Sequence, residues 1–123
     1  MENKLELKHL VPYLPYGLKV NYTEGMHYGT YSIIDAIDIM GVRIAGIELW
    51  VLFQNIKPIL RPLSDLKEQI QHMRSQSTIQ HVIDYPYDYD ELQYITKKEF
   101  DFLASNHYDL FGLLHQGLAV PLT

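Results

Sequence analysis

Six histidines, fifteen carboxylates and ten tyrosines are the side chains through which this chain could do chemistry. His9, His27, His72, His81, His107 and His115 are scattered, with no H-x-x-x-H, H-E-x-x-H or carboxylate-flanked pair to hold a metal by local spacing. Cysteine is absent, which removes disulfides, thiolate nucleophiles and cysteine-ligated zinc or iron–sulfur sites. No G-x-S-x-G elbow, Walker loop or G-x-G-x-x-G turn occurs, and Gly41 and Gly46 stand far from any lysine-bearing helix start. Asp35 and Asp38 would share a face of a helix but lie on opposite faces of a strand, so in a strand they form no acid–base pair. Nothing here recommends a reaction centre. The expectation is a non-enzymatic chain without cofactor or metal.

Two constellations remain, and both are suited to binding. In Asp84–Glu91, DYPYDYDE, four of eight residues are acidic and three are tyrosines around one proline. One reading is a solvated loop whose charges keep a sheet edge from sticking. The other is a recognition patch in which Tyr85, Tyr87, Asp88, Tyr89 and Asp90 offer contact area and negative charge to a cationic groove. Such a patch would steer association and weaken with salt. The alternative constellation is a basic face built from Lys57, Arg61, Lys67 and Arg74, as a nucleic-acid-binding factor would need. A lone Arg61 between Pro58 and Pro62 more often snorkels or pairs with a carboxylate than meets a ligand.

The elements that must position these residues divide at Ile56–Leu66, IKPILRPLSDL. Pro58 and Pro62 remove backbone donors and push the preceding residue to extended geometry, so this stretch reads as a hinge rather than a central strand or helix interior. Before it, Leu7, Leu10 and Leu14 have helical spacing that Pro12 and Pro15 restrict to a turn or two, ending in a corner at Gly17. Leu18–Tyr22 alternates as a half-buried strand. Thr23–Gly29 is a loop, Thr30–Met40 reads as a strand bracketed by glycines, and Gly41–Gly46 as a brief turn or edge segment. Ile47–Phe53 is the clearest strand, with Ile47, Leu49, Val51 and Phe53 on one face and Trp50 and Leu52 on a second, partly covered face.

After the hinge, Ser64 is positioned to cap a helix whose stripe is Leu66, Ile70 and Met73, fading over Arg74–Thr78. Ile79–Ile83 is a short strand candidate, and Pro86 makes Asp84–Glu91 a loop or edge. Thr96 and Glu99 form a T-x-x-E capping box, flanked by Ile95 and Phe100 at staple positions, and Phe100, Leu103, Ala104 and His107 continue one face. The apolar tail Leu110–Val120 should pack back on the core. The fold class expected is therefore α+β: a small, mainly antiparallel sheet followed by two amphipathic helices on one face.

At 123 residues the chain suits a single domain spanning 1–123. The N-terminus has no apolar signal region, the greasiest run contains Gly46 and Glu48 and is too short to span a bilayer, and cytoplasmic residence without membrane contact is expected. A net charge of −5 argues against a global grip on nucleic acid. Tyrosine supplies ten of the fifteen aromatics, a type enriched at interfaces and common in strands.

Three phrases, LKHLVPYLPYGLKV (Leu7–Val20), IKPILRPLSDL (Ile56–Leu66) and YDLFGLLHQGLAV (Tyr108–Val120), cover about a third of the chain. In wording and order they resemble a family of short, uncharacterised proteins of bacterial phages, prophages and mobile elements. The resemblance implies a lineage rather than a mechanism; the stretches Tyr22–Gln54 and Gln71–Ile95 lie outside it. Small, acidic, motif-free proteins of mobile elements often bind host proteins, and anti-CRISPR proteins, which block RNA-guided nucleases, share the profile. The expectation is an accessory protein that binds a host protein such as a CRISPR effector, with the nucleic-acid-binding factor as the alternative.

Overall fold

Leu7–Leu10 forms a single α-helical turn, α1, which runs on as a 3-10 helix over Val11–Tyr16. Pro12 sits early in that segment, where its missing N–H costs nothing, and Gly17 turns the chain out in the left-handed region at φ 67°. The computed structural model describes residues 4–23, 31–46 and 49–122, and of Tyr31, Lys67 and Glu68 it describes the backbone. The expected loop Thr23–Gly29 lies almost wholly outside the described residues, as does Ile47.

The strands are β1 (Lys19–Tyr22), β2 (Tyr31–Ile37), β3 (Gly41–Ile44), β4 (Leu49–Leu52), β5 (Ile56–Leu60) and β6 (Val120–Pro121). They form one sheet in the order β4-β3-β2-β1-β5-β6, antiparallel except where β6 joins β5. Val20, Tyr22, Ile34, Val42, Ile44, Ile56 and Leu60 form its buried side. The Gly41–Ile44 stretch is thus an inner strand, not a turn or edge. Gly41 is required there, because a Cβ would collide with the Val51 carbonyl.

The proline stretch departs from expectation in the same way: its first half is a strand flanked on both sides. Thr23 N–H donates to Asn55 O, and Leu122 N–H donates to Leu60 O. Backbone groups alternate along a strand, so the odd positions 55, 57 and 59 face β1 while Pro58 faces away from it. The donor that Pro58 lacks therefore falls on the side covered only by the two-residue β6, and the ladder to β1 is intact.

On the buried side lie a 3-10 helix over Leu63–His72, α2 (Gln76–Asp84), a 3-10 helix over Pro86–Tyr94 and α3 (Lys97–Ser105). Leu63, Leu66, Ile70, Ile79, Val82, Leu92, Leu103 and Ala104 are the side chains they bury. Ser64 does not cap: the segment starts at Leu63 with Pro62 before it and no side-chain cap bond. Ile79–Ile83 is helical rather than a strand, since Ile79 and Val82 at i, i+3 make one inward stripe. Asp84–Glu91 is mostly helical too, as Pro86 takes the first position of a 3-10 segment rather than an edge, with Tyr85 as the joint from α2 and a kink at Asp88. The α+β class stands, with more helical segments than two.

The three segments that open, bridge and close the chain meet at Tyr108. The buried Tyr13 hydroxyl donates to Tyr108 O at 2.6 Å and accepts from Leu110 N–H at 2.8 Å. Arg61 N–H donates to His107 O, Asp109 N–H donates to Arg61 O, and the Arg61 guanidinium lies 4.4 Å from the Tyr108 ring centroid. The tail then packs back, burying Leu110, Leu113 and Ala119.

Candidate protein-binding face

The acidic tyrosine stretch is carried by the end of α2 and the 3-10 helix that follows. Leu92 is buried and Tyr89 is turned inward, its ring against Gly112, where a Cβ would sit 3.0 Å from the ring and where the φ of 71° itself favours glycine. Burial, and then the nearby Asp109 charge, push the Tyr89 hydroxyl well above its usual range. Tyr89 is therefore an anchor, not a contact residue.

Its neighbours point outward. Tyr87 is 74% exposed and Tyr94 70%, with Tyr85 at 45%. The Tyr85 ring lies between His81 and Tyr87, at centroid distances of 4.9 and 5.9 Å. Asp88 is held by His81 Nε2 at 3.0 Å, and Asp84 accepts from Gln80 at 3.1 Å. Asp90 and Glu91 are exposed. Tyr85, Tyr87, Asp88 and Asp90 thus stand together on the joint and the kinked 3-10 segment after α2, where the tyrosines offer large, stiff aromatic surface.

The alternative basic residues are not gathered. Arg61 is engaged with Tyr108. Lys57 lines a 680 Å³ groove with Lys4, whereas Arg74 lines a separate 710 Å³ cleft with Lys98 and Phe102. The Lys67 side chain is outside the described residues.

Among the described residues no group of three His, Asp or Glu is placed to hold a metal ion. His9 Nδ1 accepts the Glu6 N–H and its ring packs against Phe111; His107 meets Tyr16 O at 2.8 Å. Burial, then the Lys8 charge, lower the His9 imidazole below its usual value. Asp109 is the one carboxylate buried among the described residues, and it serves the tail: its oxygens accept from the amides of Phe111, Leu113 and Leu114 at 3.0–3.2 Å. Burial raises it although these amides and that of Gly112 pull it back. Sequence reasoning passed over Asp109; a single acid three residues before a glycine in the run YDLFGLL was the available signal.

A second surface was also passed over. The outer strand β4 leaves Leu49, Trp50 and Leu52 between 42 and 49% exposed, where covered faces were expected. The alternation in IELWVLF identifies a strand but carries no information about which neighbour it gains, and among the described residues β4 has one only on the β3 side.

Fold and face together describe an α+β domain with an ordered tyrosine–carboxylate surface. No protein-family model, curated protein or solved structure matches the chain. Among the described residues, no helix is long and apolar enough to cross a membrane.

Proposed function

We propose that this chain is a non-enzymatic accessory protein of phage or mobile-element lineage that acts in the cytoplasm by docking to a host protein. Its contact residues are Tyr85, Tyr87, Asp88 and Asp90, and the partner presents a cationic groove of the kind that nucleic-acid-handling enzymes use. An RNA-guided nuclease is such a partner, which makes the chain an anti-CRISPR inhibitor that competes with nucleic acid for that groove. The supporting observation is the pairing of strongly exposed tyrosines with carboxylates on a helix pinned from beneath by Tyr89 and Leu92. Tyrosine supplies contact area at low entropic cost, and the carboxylates steer encounter.

Capture of partners from host lysate, with and without nuclease treatment, tests the proposal. Capture should survive nuclease treatment, weaken between low and moderate salt, and fall at least about tenfold for the Tyr87→Ala, Asp90→Ala double variant. Capture that vanishes with nuclease treatment would favour the basic nucleic-acid-binding alternative. Capture unchanged in the double variant would reduce the face to a solvated helix.

A further inference from the structure

We propose that the open edge of β4 pairs with β4 of a second copy of this chain, joining two sheets antiparallel about a two-fold axis at Val51. The backbone directions lead to this register. Ala45 N–H donates to Ile33 O and Asp38 N–H donates to Gly41 O, so residues 41, 43 and 45 face β2 and residues 42 and 44 face β4. Their β4 partners are Val51 and Leu49, and Phe53 N–H also bonds inward, to Met40 O. Among the described residues, the N–H and C=O groups of Trp50 and Leu52 are therefore those left at the open edge.

With Val51 on the axis, Trp50 of each copy stands opposite Leu52 of the other, and the two residues exchange both backbone bonds. Symmetry doubles this to four bonds made by the groups the edge leaves open. Side chains match as well: Val51 meets Val51 and Trp50 meets Leu52, while Leu49 comes opposite Phe53, where the strand passes into a 3-10 turn. None of these residues is charged. A chain of net charge −5 repels its own copy over most of its surface, so a neutral segment is where close approach is cheapest.

Leu49–Leu52 also lacks most of the devices that keep strands apart, its shortness excepted. Leu49–Leu52 contains no lysine, no proline and no bulge against β3. The opposite end of the sheet does have such protection, with β6 covering β5 and ending in Pro121. Pairing thus closes at two copies instead of growing into a filament. Ile39 and Met40, 81 and 64% exposed, line one groove with Leu52 and Phe53 on the β3 side of the strand. Pairing covers the half-exposed Leu49, Trp50 and Leu52 of each copy, an interface at the small end of the specific range.

Sedimentation velocity on the full chain over a concentration series is the experiment. Leu52→Pro is the sharpest variant, because Leu52 already has φ −66° and ψ 148° and its N–H faces outward, so proline removes an edge donor without touching the β3 ladder. Wild type should sediment as a dimer. Leu52→Pro and Trp50→Lys should each raise the dissociation constant at least about 100-fold with unchanged circular dichroism, while Val11→Lys, at an exposed apolar site elsewhere, leaves it unchanged. If Leu52→Pro perturbs the fold, Trp50→Lys decides alone. A wild-type monomer at about 1 mM, a dimer indifferent to the edge variants, or one equally sensitive to Val11→Lys would each overturn the proposal.

Discussion

Tyr13 shows how much one hydroxyl can hold together. It is fully buried and its oxygen both donates to Tyr108 O and accepts from Leu110 N–H, which closes the N-terminal corner onto the tail. Tyr13→Phe keeps the ring and strands a buried carbonyl and amide, so it should cost about 2–3 kcal/mol in chemical denaturation with little change in m-value. Arg61→Lys should cost about 1 kcal/mol, since an ammonium stacks on the Tyr108 ring less well than a planar guanidinium. Neither partnership could be read from the chain: Tyr13 and Tyr108 are separated by 95 residues, and Tyr13 looks like any tyrosine in a proline corner. Arg61 was expected to snorkel or to pair with a carboxylate; its guanidinium instead lies against the Tyr108 ring.

Helix α3 is where local signals suffice. Thr96 Oγ1 accepts the Glu99 N–H at 3.1 Å, and Glu99 reaches back to Thr96 N–H, the box that T-x-x-E spells out. Glu99 does more than cap, because it also accepts from the Ser75 amide and hydroxyl at 3.0 and 2.9 Å and so ties α3 to the start of α2. Burial alone would raise the Glu99 carboxyl, but the bonds from Ser75 and Thr96 outweigh it and hold the group below its ordinary 4.5. A depressed carboxylate contributes stability that is complete above 4.5 and is lost as pH falls through its folded value. Melting temperature should therefore drop on acidification through this range, with a shallower slope in Glu99→Gln; the raised Asp109 acts in the opposite sense in both proteins. Thr96→Ala should cost about 1 kcal/mol. Legibility failed where the decisive partner was distant in sequence. Ile79–Ile83 is too short for its apolar period to separate helix from strand, and Ser64 lost its capping role because Pro62 had already set the entry to the turn.

For the molecule as a whole, the α+β class followed from the contrast between a β-branched first half and capped, amphipathic segments after the prolines. The order of strands did not, since alternation along IELWVLF is the same for an inner and an outer strand. The three phrases that open, bridge and close the chain converge on Tyr108, while the proposed surfaces lie on the stretches between them, β4 in one and the tyrosine-bearing 3-10 helix in the other. His9 joins the first of these phrases to the last, its lowered imidazole accepting the Glu6 amide beside Phe111. Its neutral form is favoured by the fold, so its contribution is complete above 6.5 and lost as pH falls through the folded value. Amide exchange over residues 6–11 should accelerate on that descent, and a flat exchange profile would remove His9 from the account.

Because the Tyr13 hydroxyl finds its partners only at Tyr108 and Leu110, and β5 gains β6 only at Val120, the fold cannot be completed during translation until those residues have left the ribosome. A stalled or frameshifted product lacking them keeps Tyr13 and the outward side of β5 unsatisfied, and degradation rather than partial activity is its expected fate.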